Sequence, residues 1–314
     1  MVYRFGSLDD GNASLELLSV PKERRPVANG IFVGLSTVDV VYCVDEFPSP
    51  NSKVSAQGQD VFAGGPATNA SIAFAHLGGK PTLVTAVGRH AMASIIGDEL
   101  RRYSVKLIDL NPGFDNAPVI SSIFVNNAGE RNVVSANAGR VDALPAQIDE
   151  AVLEQASIVL VDGHYMQACL AWSRAARARG IPVVLDGGSW KAGTEELLGS
   201  IDTAICSADF MPPGCSTTDD VVKHLQACGA TNIAITNGAE AIRFISSGGS
   251  GTLPVPRAQV VDTMGAGDIL HGAFCHHAAM GRSFVGALRE AAEVASESCR
   301  FHGTREWMER TTDP

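Results

Sequence analysis

The sequence has no apolar stretch of the roughly 18 residues that a membrane-spanning helix needs. It also has no block of basic residues: 24 Lys and Arg stand against 34 Asp and Glu, a net charge of −10. Nucleic acids and anionic membranes are bound mainly through clustered Lys and Arg, so the sequence predicts neither as a partner. Residues 1–26 are mixed and charged, lack the apolar core of a secretory signal, and are interpreted as an N-terminal extension.

Paired cysteines are missing as well. The seven cysteines are odd in number and scattered, and no Cys-x-x-Cys pair occurs among them. This pattern predicts reduced cysteines in a cytoplasmic protein rather than a disulfide framework or a zinc site.

Short apolar runs do alternate with helix-like segments through most of the chain. The 314 residues, 45% of them hydrophobic and 18% charged, are enough for a large folded core. This rhythm predicts an α/β fold: a mostly parallel sheet with helices on both faces, spanning residues 27–314. The expected strands are 30–35, 81–88, 157–163, 181–188, 202–207 and 231–238, and the expected helices are 66–78, 92–103, 166–179, 217–228, 266–280 and 283–301.

Two regions interrupt that rhythm, at about 38–62 and 117–137. Both contain extended stretches with no helix between them, and they alternate apolar and polar residues better than the other strands do. We interpret them as a few antiparallel strands that form a small β-sheet lid over one end of the domain. The alternative is that they are edge strands of the main sheet.

The stretch "DTMGAGDILHGAF", residues 262–274, places Asp268 directly after three very small residues. Helix N-termini bind anions, and Gly265, Ala266 and Gly267 would let a phosphate approach their backbone N–H groups closely. A carboxylate beside a phosphoryl group is unfavourable as a ligand but useful as the base that accepts a proton from an attacking hydroxyl. The alternative is an ordinary acidic residue in the first turn of a tightly packed helix.

A second glycine-rich helix start occurs upstream, in "GGPATNAS" at residues 64–71. Gly65 would let a ligand approach the backbone, and the Asn69 amide could hold a hydroxyl. Asp39, which follows the first buried strand, could bind sugar hydroxyls through both oxygens or be a solvated loop residue.

Together these elements resemble the ribokinase-type carbohydrate kinase family over residues 29–303. "GGPATNAS", with Gly78 and Gly88 after it, is similar to the family's N-terminal signature, and "DTMGAGDILHGAF" is similar to its C-terminal signature. The resemblance implies a ribokinase-like fold with a lid and ATP-dependent phosphorylation of a sugar hydroxyl, with Mg²⁺ carried by the nucleotide.

The resemblance also implies roles for single residues. The catalytic base would be Asp268, and the anion hole would be Gly265, Ala266 and Gly267. The remaining implied contacts are Asp39, Gly65 and Asn69 to the sugar, Thr236, Gly238, Ser207 and Gly267 to the nucleotide, and Asp262 to a monovalent cation such as K⁺.

One segment departs from the family pattern. Many members carry an Asn-x-x-Glu motif that organises the water around Mg²⁺, whereas this chain has Ser207 and Phe210 at the two positions. Asp209 could partly substitute for the missing acid.

The acceptor is expected to be hexose-like. Two subgroups resemble the chain most, the ketohexokinases and the kinases of sulfoquinovose and related sugars, which suggest a ketose or an anionic sugar. Lys53 falls where the second subgroup binds the sulfonate, although His164 stands where an arginine is expected. Arg131 and Arg140 border the second lid segment and are further candidates for binding an anionic substituent; each of the three cations could instead be a surface residue.

Two rival functions remain open: a nucleoside kinase of the same fold, and a sugar- or nucleotide-binding sensor without catalysis. The intact Asp268 argues against the sensor. A homodimer formed through the edges of the lid is expected, because exposed strand edges pair readily. His271, His276 and His277 are expected to be packed side chains rather than metal ligands.

Overall fold

A nine-stranded sheet forms the centre of the protein in the computed structural model, which describes residues 27–127, 130–136 and 147–310. Seven neighbouring strands run parallel, and the sheet order is β13-β12-β11-β10-β9-β8-β1-β4-β5. The strands are β1 (Asn29–Val33), β4 (Lys80–Thr85), β5 (Lys106–Asp109), β8 (Ile158–Val161), β9 (Val183–Gly187), β10 (Thr203–Ser207), β11 (Asn232–Thr236), β12 (Ile242–Ser246) and β13 (Gly249–Leu253). A mostly parallel sheet with helices and a separate small sheet is the predicted fold class, which is confirmed.

Three strands of this sheet were not predicted. β5 is only four residues long, and its side chains are less buried than those of the other parallel strands. β12 and β13 form an antiparallel hairpin at the far edge. In β13, the edge strand, serine, threonine and glycine replace the apolar run that marks a buried strand, and in β12 Arg243 and Ser246 shorten that run. The weak apolar signal of edge strands explains why the sequence prediction missed them.

Helices cover both faces of the sheet. They are α1 (Pro66–His76), α2 (Ala93–Arg102), α3 (Glu150–Gln155), α4 (Met166–Arg177), α5 (Thr194–Leu198), α6 (Thr218–Ala227), α7 (Ala266–Ala279), α8 (Phe284–Ser298) and α9 (Glu306–Arg310). The short helices α3, α5 and α9 were not predicted, since five or six residues give too little periodicity.

Alternating side chains of the buried strands divide the core into two layers. Phe32 and Leu160 point into the layer that contains α1, α2, α7 and α8. Ile31, Val33 and Val159 point into the opposite layer, with α4 and α6. Such strands are apolar on both faces, which is why they read as continuous apolar runs.

A separate four-stranded sheet has the order β3-β2-β6-β7 and is formed by β2 (Thr37–Val44), β3 (Gly58–Gly64), β6 (Ile120–Asn126) and β7 (Arg131–Ser135). The two interrupting regions of the sequence therefore form their own sheet, not edge strands of the main one. The expectation of purely antiparallel strands was wrong, because β2 and β6 pair in parallel. In the chain, β2 follows β1 and β6 follows β5. Because β1 and β5 run parallel in the main sheet, β2 and β6 leave the same edge of that sheet in the same direction.

No described helix is long and apolar enough to cross a membrane. The predicted N-terminal extension, residues 1–26, and the candidate Arg140 lie outside the described residues.

Candidate active site

A cavity of about 410 Å³ lies between the small sheet and the carboxyl ends of the main-sheet strands. This edge is where ligands of open α/β sheets bind. The cavity brings together residues from three distant parts of the chain that the sequence singled out. They are Asp39, Gly65, Asn69, Arg131, Gly265, Ala266, Gly267 and Asp268.

Asp268 lies in the first turn of α7 and is held by Asn69, which lies in the second turn of α1. The Asn69 Nδ2 donates a hydrogen bond of 2.7 Å to Asp268 Oδ2. Burial, followed by the nearby charge of Asp186, raises the pKa of Asp268 to about 7, although the Asn69 bond opposes the shift. A carboxylate with such a pKa is suited to accept a proton near neutral pH.

Asp39 approaches the same cavity from β2 of the small sheet. Its side chain is only 7% exposed, and the Thr37 Oγ1 donates to its Oδ1 at 2.6 Å. Burial raises the pKa of Asp39, while the bonds from Thr37 and Ser121 and the charge of Arg305 oppose that shift. The carboxylate lies so close to β3 that a Cβ on Gly64 would come within 1.9 Å of its Oδ2.

Gly65 allows α1 to begin directly beneath the first loop of the sheet. Its φ is 94°, and a Cβ there would lie 2.3 Å from the carbonyl oxygen of Leu35. Both the left-handed backbone and the close approach exclude a side chain. The glycine pair that the sequence analysis assigned to ligand access is thus also required by the packing of the chain itself.

The loop at residues 263–268 forms the N-terminus of α7. Gly265 caps the helix with a φ of 67°, and Ala266 and Gly267 begin it. The Ala266 N–H donates a long bond of 3.3 Å to Thr263 O, so it closes a turn within the loop. The first N–H groups of a helix have no partner within it, and together with the helix dipole they favour an anion here.

A second cavity, of about 590 Å³, lies on the other side of this loop. It contains the predicted nucleotide residues Ser207, Thr236 and Gly238 at the ends of β10 and β11, and also His271 of α7. Arg131, Thr263, Ala266 and Gly267 line both cavities. The N-terminus of α7 is therefore the point at which ligands in the two cavities would meet.

Sequence analysis missed Asp186, at the end of β9. Its side chain is buried beside Asp268, and its Oδ2 has no hydrogen-bond partner; the His271 Nδ1 lies 3.6 Å away. A buried carboxylate oxygen without a partner is costly, and the arrangement is typical of a residue that faces a ligand or cation. An acid at the end of a buried strand, in "VVLDGG", was the available signal.

Sequence analysis also missed Arg305, which comes from the loop before α9. Its guanidinium pairs with Glu99 of α2, Nε to Oε1 at 2.5 Å, and both side chains are nearly buried. The Nη1 donates to Asn69 Oδ1 at 2.9 Å and the Nη2 donates to Ala63 O at 2.7 Å. Nothing in the surrounding sequence "HGTREWM" marks this arginine, because Glu99, Asn69 and Ala63 lie far away along the chain.

Other predicted residues have different surroundings. Lys53 is exposed in the loop between β2 and β3 and does not line either cavity. Asp209 is also exposed and outside both, whereas its neighbour Phe210 is buried. The backbone N–H of His164 donates to the buried Asp162, and burial lowers the pKa of the His164 ring.

Asp262 joins two loops through its carboxylate. Its Oδ1 accepts from the Met264 N–H and its Oδ2 accepts from the Gly303 N–H, both at 2.9 Å. The histidines of α7 have different surroundings: His271 is buried between the carbonyl oxygens of Gly267 and Ile205, and the half-buried His276 and His277 contact each other edge to face.

Comparison with known proteins agrees with this geometry. Residues 29–311 match the family model described as pfkB family carbohydrate kinase. The chain belongs to this family. Its members are phosphotransferases that act on a hydroxyl group, so the chain is identified as a carbohydrate kinase by family.

Individual relatives are distant. The ribokinase of Arabidopsis thaliana is 25% identical over 291 residues, which cover 87% of this chain and 76% of the relative. A ribokinase structure from Thermotoga maritima, 21% identical, superimposes with a TM-score of 0.75 over 90% of this chain and 98% of that one. The structure of Arabidopsis thaliana ribokinase complexed with ribose and ATP gives a TM-score of 0.73 at 22% identity, over 88% and 94% of the two chains.

Proposed function

We propose that this pfkB-family kinase transfers the γ-phosphoryl group of ATP to a hydroxyl of a sugar, with Asp268 as the general base. The observation that carries the proposal is the position of the α7 N-terminus. It separates the smaller cavity, which contains Asp39 and Asn69, from a larger cavity that contains Thr236 and Gly238. A hydroxyl in the first cavity and a phosphate in the second would meet beside Asp268.

The reaction is an in-line transfer. Asp39 and Asn69 position the sugar, and Asp268 accepts the proton as the hydroxyl oxygen attacks the γ-phosphorus. The bond from the γ-phosphorus to the β–γ bridging oxygen breaks at the same time, and ADP leaves with its electron pair. The N–H groups at the start of α7 and the helix dipole stabilise charge on the transferred group, with Gly265, Ala266 and Gly267 as the anion hole. The small sheet acts as a lid that excludes water and so limits ATP hydrolysis.

A Mg²⁺ ion bound with the nucleotide would supply neutralisation of the phosphate charge. The donor set fits such an ion through Asp186 rather than through Asp209, because the Asp186 Oδ2 is buried, acidic and without a hydrogen-bond partner. The hydroxyl of Ser207 lies in the same cavity as the nucleotide residues.

Activation by K⁺ is a separate proposal that rests on Asp262. Its carboxylate joins the anion-hole loop to the loop at Gly303, so a cation there would stiffen both. Comparing initial rates in KCl and in tetramethylammonium chloride tests this idea at constant ionic strength.

The acceptor is tested with a panel and ADP release as the readout. Hexoses and ketoses represent the hexose-like acceptor predicted from the sequence, and pentoses represent the named relatives. Sulfonated and phosphorylated sugars test whether Arg131, which lines both cavities, binds an anionic substituent. Arg131→Gln should raise KM for an anionic acceptor more than KM for its neutral counterpart.

Nucleosides belong in the same panel, because a nucleoside kinase is the rival within the family. Turnover of nucleosides but not sugars would reject the sugar acceptor and leave Asp268 as the base. Binding of ATP and sugar without ADP release would instead favour a sensor.

We further propose a homodimer through the small sheet. β3 and β7 are its edge strands, and its outer face is apolar: Val61 is 46% exposed, Val134 is 68% exposed, and Tyr42 stacks on Phe124. Large exposed apolar patches mark interfaces. Sedimentation velocity should give a dimer for the native chain and a monomer for Val134→Glu; a native monomer would reject the proposal.

A further inference from the structure

Arg305 and Glu99 form a nearly buried ion pair beside the candidate site, and neither touches the reacting groups directly. Their side chains are 13% and 12% exposed. Burying such a pair is unfavourable unless the remaining donors and acceptors are also satisfied. Here the remaining groups bond to Ala63 and Asn69, and Asn69 lines the smaller cavity.

The pair bonds both backbone polar groups of Ala63 in β3, and so holds the two peptide units on either side of this residue. The Ala63 N–H donates to Glu99 Oε2 at 2.5 Å, and the Ala63 carbonyl accepts from Arg305 Nη2 at 2.7 Å. Ala63 immediately precedes the glycine pair at which the small sheet joins α1. The ion pair thereby fixes the backbone just before Gly65.

Arg305 also fixes the orientation of the Asn69 amide. Its Nη1 donates to Asn69 Oδ1 at 2.9 Å and to Thr304 Oγ1 at 2.7 Å. A guanidinium can only donate, so the oxygen of the amide must face it. The NH₂ group of Asn69 must then face Asp268, to whose Oδ2 it donates at 2.7 Å.

We propose that Arg305, held by Glu99, is a positioning residue that acts through Asn69 to keep a hydrogen-bond donor on the catalytic carboxylate. Without Arg305, the amide could rotate and present its oxygen to Asp268. That orientation would replace an attractive contact with a repulsive one. The inference rests on the proposed function, since it takes Asp268 to be the base.

The test compares Arg305→Met with Arg305→Gln. Both variants lose the ion pair with Glu99 and the hydrogen bond from Nη2 to Ala63 O, but glutamine retains an amide N–H that can donate to Asn69 Oδ1. A hydrogen bond to the charged form of an acid lowers its pKa, and losing it raises the pKa. For Arg305→Met we expect the acidic limb of the kcat/KM profile to move up by about one pH unit, which is about a tenfold loss of kcat/KM at pH 6.

The two variants separate positioning from general stabilisation. If Arg305 positions Asn69, Arg305→Gln should keep its acidic limb within about 0.3 unit of the native limb, although both variants melt at lower temperature. The inference would be overturned if the acidic limb moved equally in the two variants. It would also be overturned if both variants melted at lower temperature and the acidic limb moved in neither. Arg89→Gln is the control, because Arg89 pairs with Asp115 through side chains that are 65% and 71% exposed, and neither residue lines a cavity.

A double-mutant cycle gives the second readout. In an Asn69→Ala background, Arg305→Met should move the acidic limb no further, because the residue through which it acts is gone. An additional shift of about one unit in that background would also overturn the inference. If Arg305→Met does not fold, Glu99→Gln in both backgrounds replaces it, with a smaller shift expected only when Asn69 is present.

Failure of this inference differs from failure of the proposed function. If Asp268→Asn abolishes turnover while the Arg305 variants leave the acidic limb in place, only the positioning role is rejected. If Asp268→Asn retains full activity, the base assignment is rejected, whatever the Arg305 variants do.

Discussion

Asp268→Asn should slow catalysis and at the same time stabilise the protein at high pH. Removing a general base typically costs about 10² to 10⁴-fold in rate. The kcat should therefore fall by at least about 10²-fold, while ATP and sugar still bind. The stability effect follows from the pKa of Asp268, which burial and Asp186 raise from its ordinary value of 3.8 to about 7.

The sign of the stability effect is determined by which state holds the proton more tightly. Because the pKa is higher in the folded state, the folded protein binds the proton between pH 4 and 7 while the unfolded chain has already lost it. Ionised Asp268 therefore destabilises the fold increasingly as pH rises towards 7, and the loss is complete above it. Asparagine cannot ionise and avoids this cost.

The size of the effect can be worked out from the two pKa values. One unit of pKa difference is worth about 1.36 kcal/mol, so the stability advantage of Asp268→Asn should grow by about 2 to 3 kcal/mol between pH 5 and pH 8. Chemical denaturation of both proteins at the two pH values measures this difference directly. Asp209→Asn, at an exposed aspartate outside both cavities, is the matched control and should show no such growth.

Two results would refute the reasoning. A pH-independent stability difference would show that Asp268 has an ordinary pKa in the folded protein. Retention of more than about a tenth of native kcat would exclude Asp268 as the base, since general bases contribute at least about 10²-fold.

Three further predictions test the surrounding groups. Asp39→Asn should raise KM for the sugar at least tenfold and leave KM for ATP unchanged, because Asp39 lines only the smaller cavity; equal changes in both constants would contradict this. Asp186→Asn should move the acidic limb of kcat/KM to lower pH, since it removes a charge that raises the pKa of Asp268. It should also increase the Mg²⁺ concentration that gives the half-maximal rate; an unchanged Mg²⁺ concentration would count against its proposed metal role. Gly65→Ala should lower both activity and melting temperature, because its Cβ would meet Leu35 O at 2.3 Å, whereas Gly180→Ala, with nothing within 4 Å of a Cβ but a comparable positive φ, should lower melting temperature alone; equal activities of the two variants would contradict the local effect.

The buried part of the fold was largely predictable from local sequence. Strands such as β1 and β8 are apolar on both faces, and helix α7 is marked by the glycine at its start. Exposed elements were harder, as the edge hairpin β12–β13 shows, because polar residues on edge strands resemble loops. The parallel pairing of β2 with β6 could not be predicted from either strand, since the relative direction of the two strands depends on where both leave the main sheet.

The candidate site shows the same division. The sequence by itself determined the short-range motifs, Gly64-Gly65 and Gly265-Ala266-Gly267-Asp268, because each is a helix start whose small residues and acid are adjacent along the chain. Only the tertiary structure decided that Asn69 bonds Asp268 across 199 positions, and that Arg305 reaches Asn69 across 236. It also placed Asp186 near Asp268 and left Lys53 outside both cavities. These outcomes depend on which ends of the sheet and which helices meet in space, and such long-range contacts leave no periodicity or local composition in the sequence.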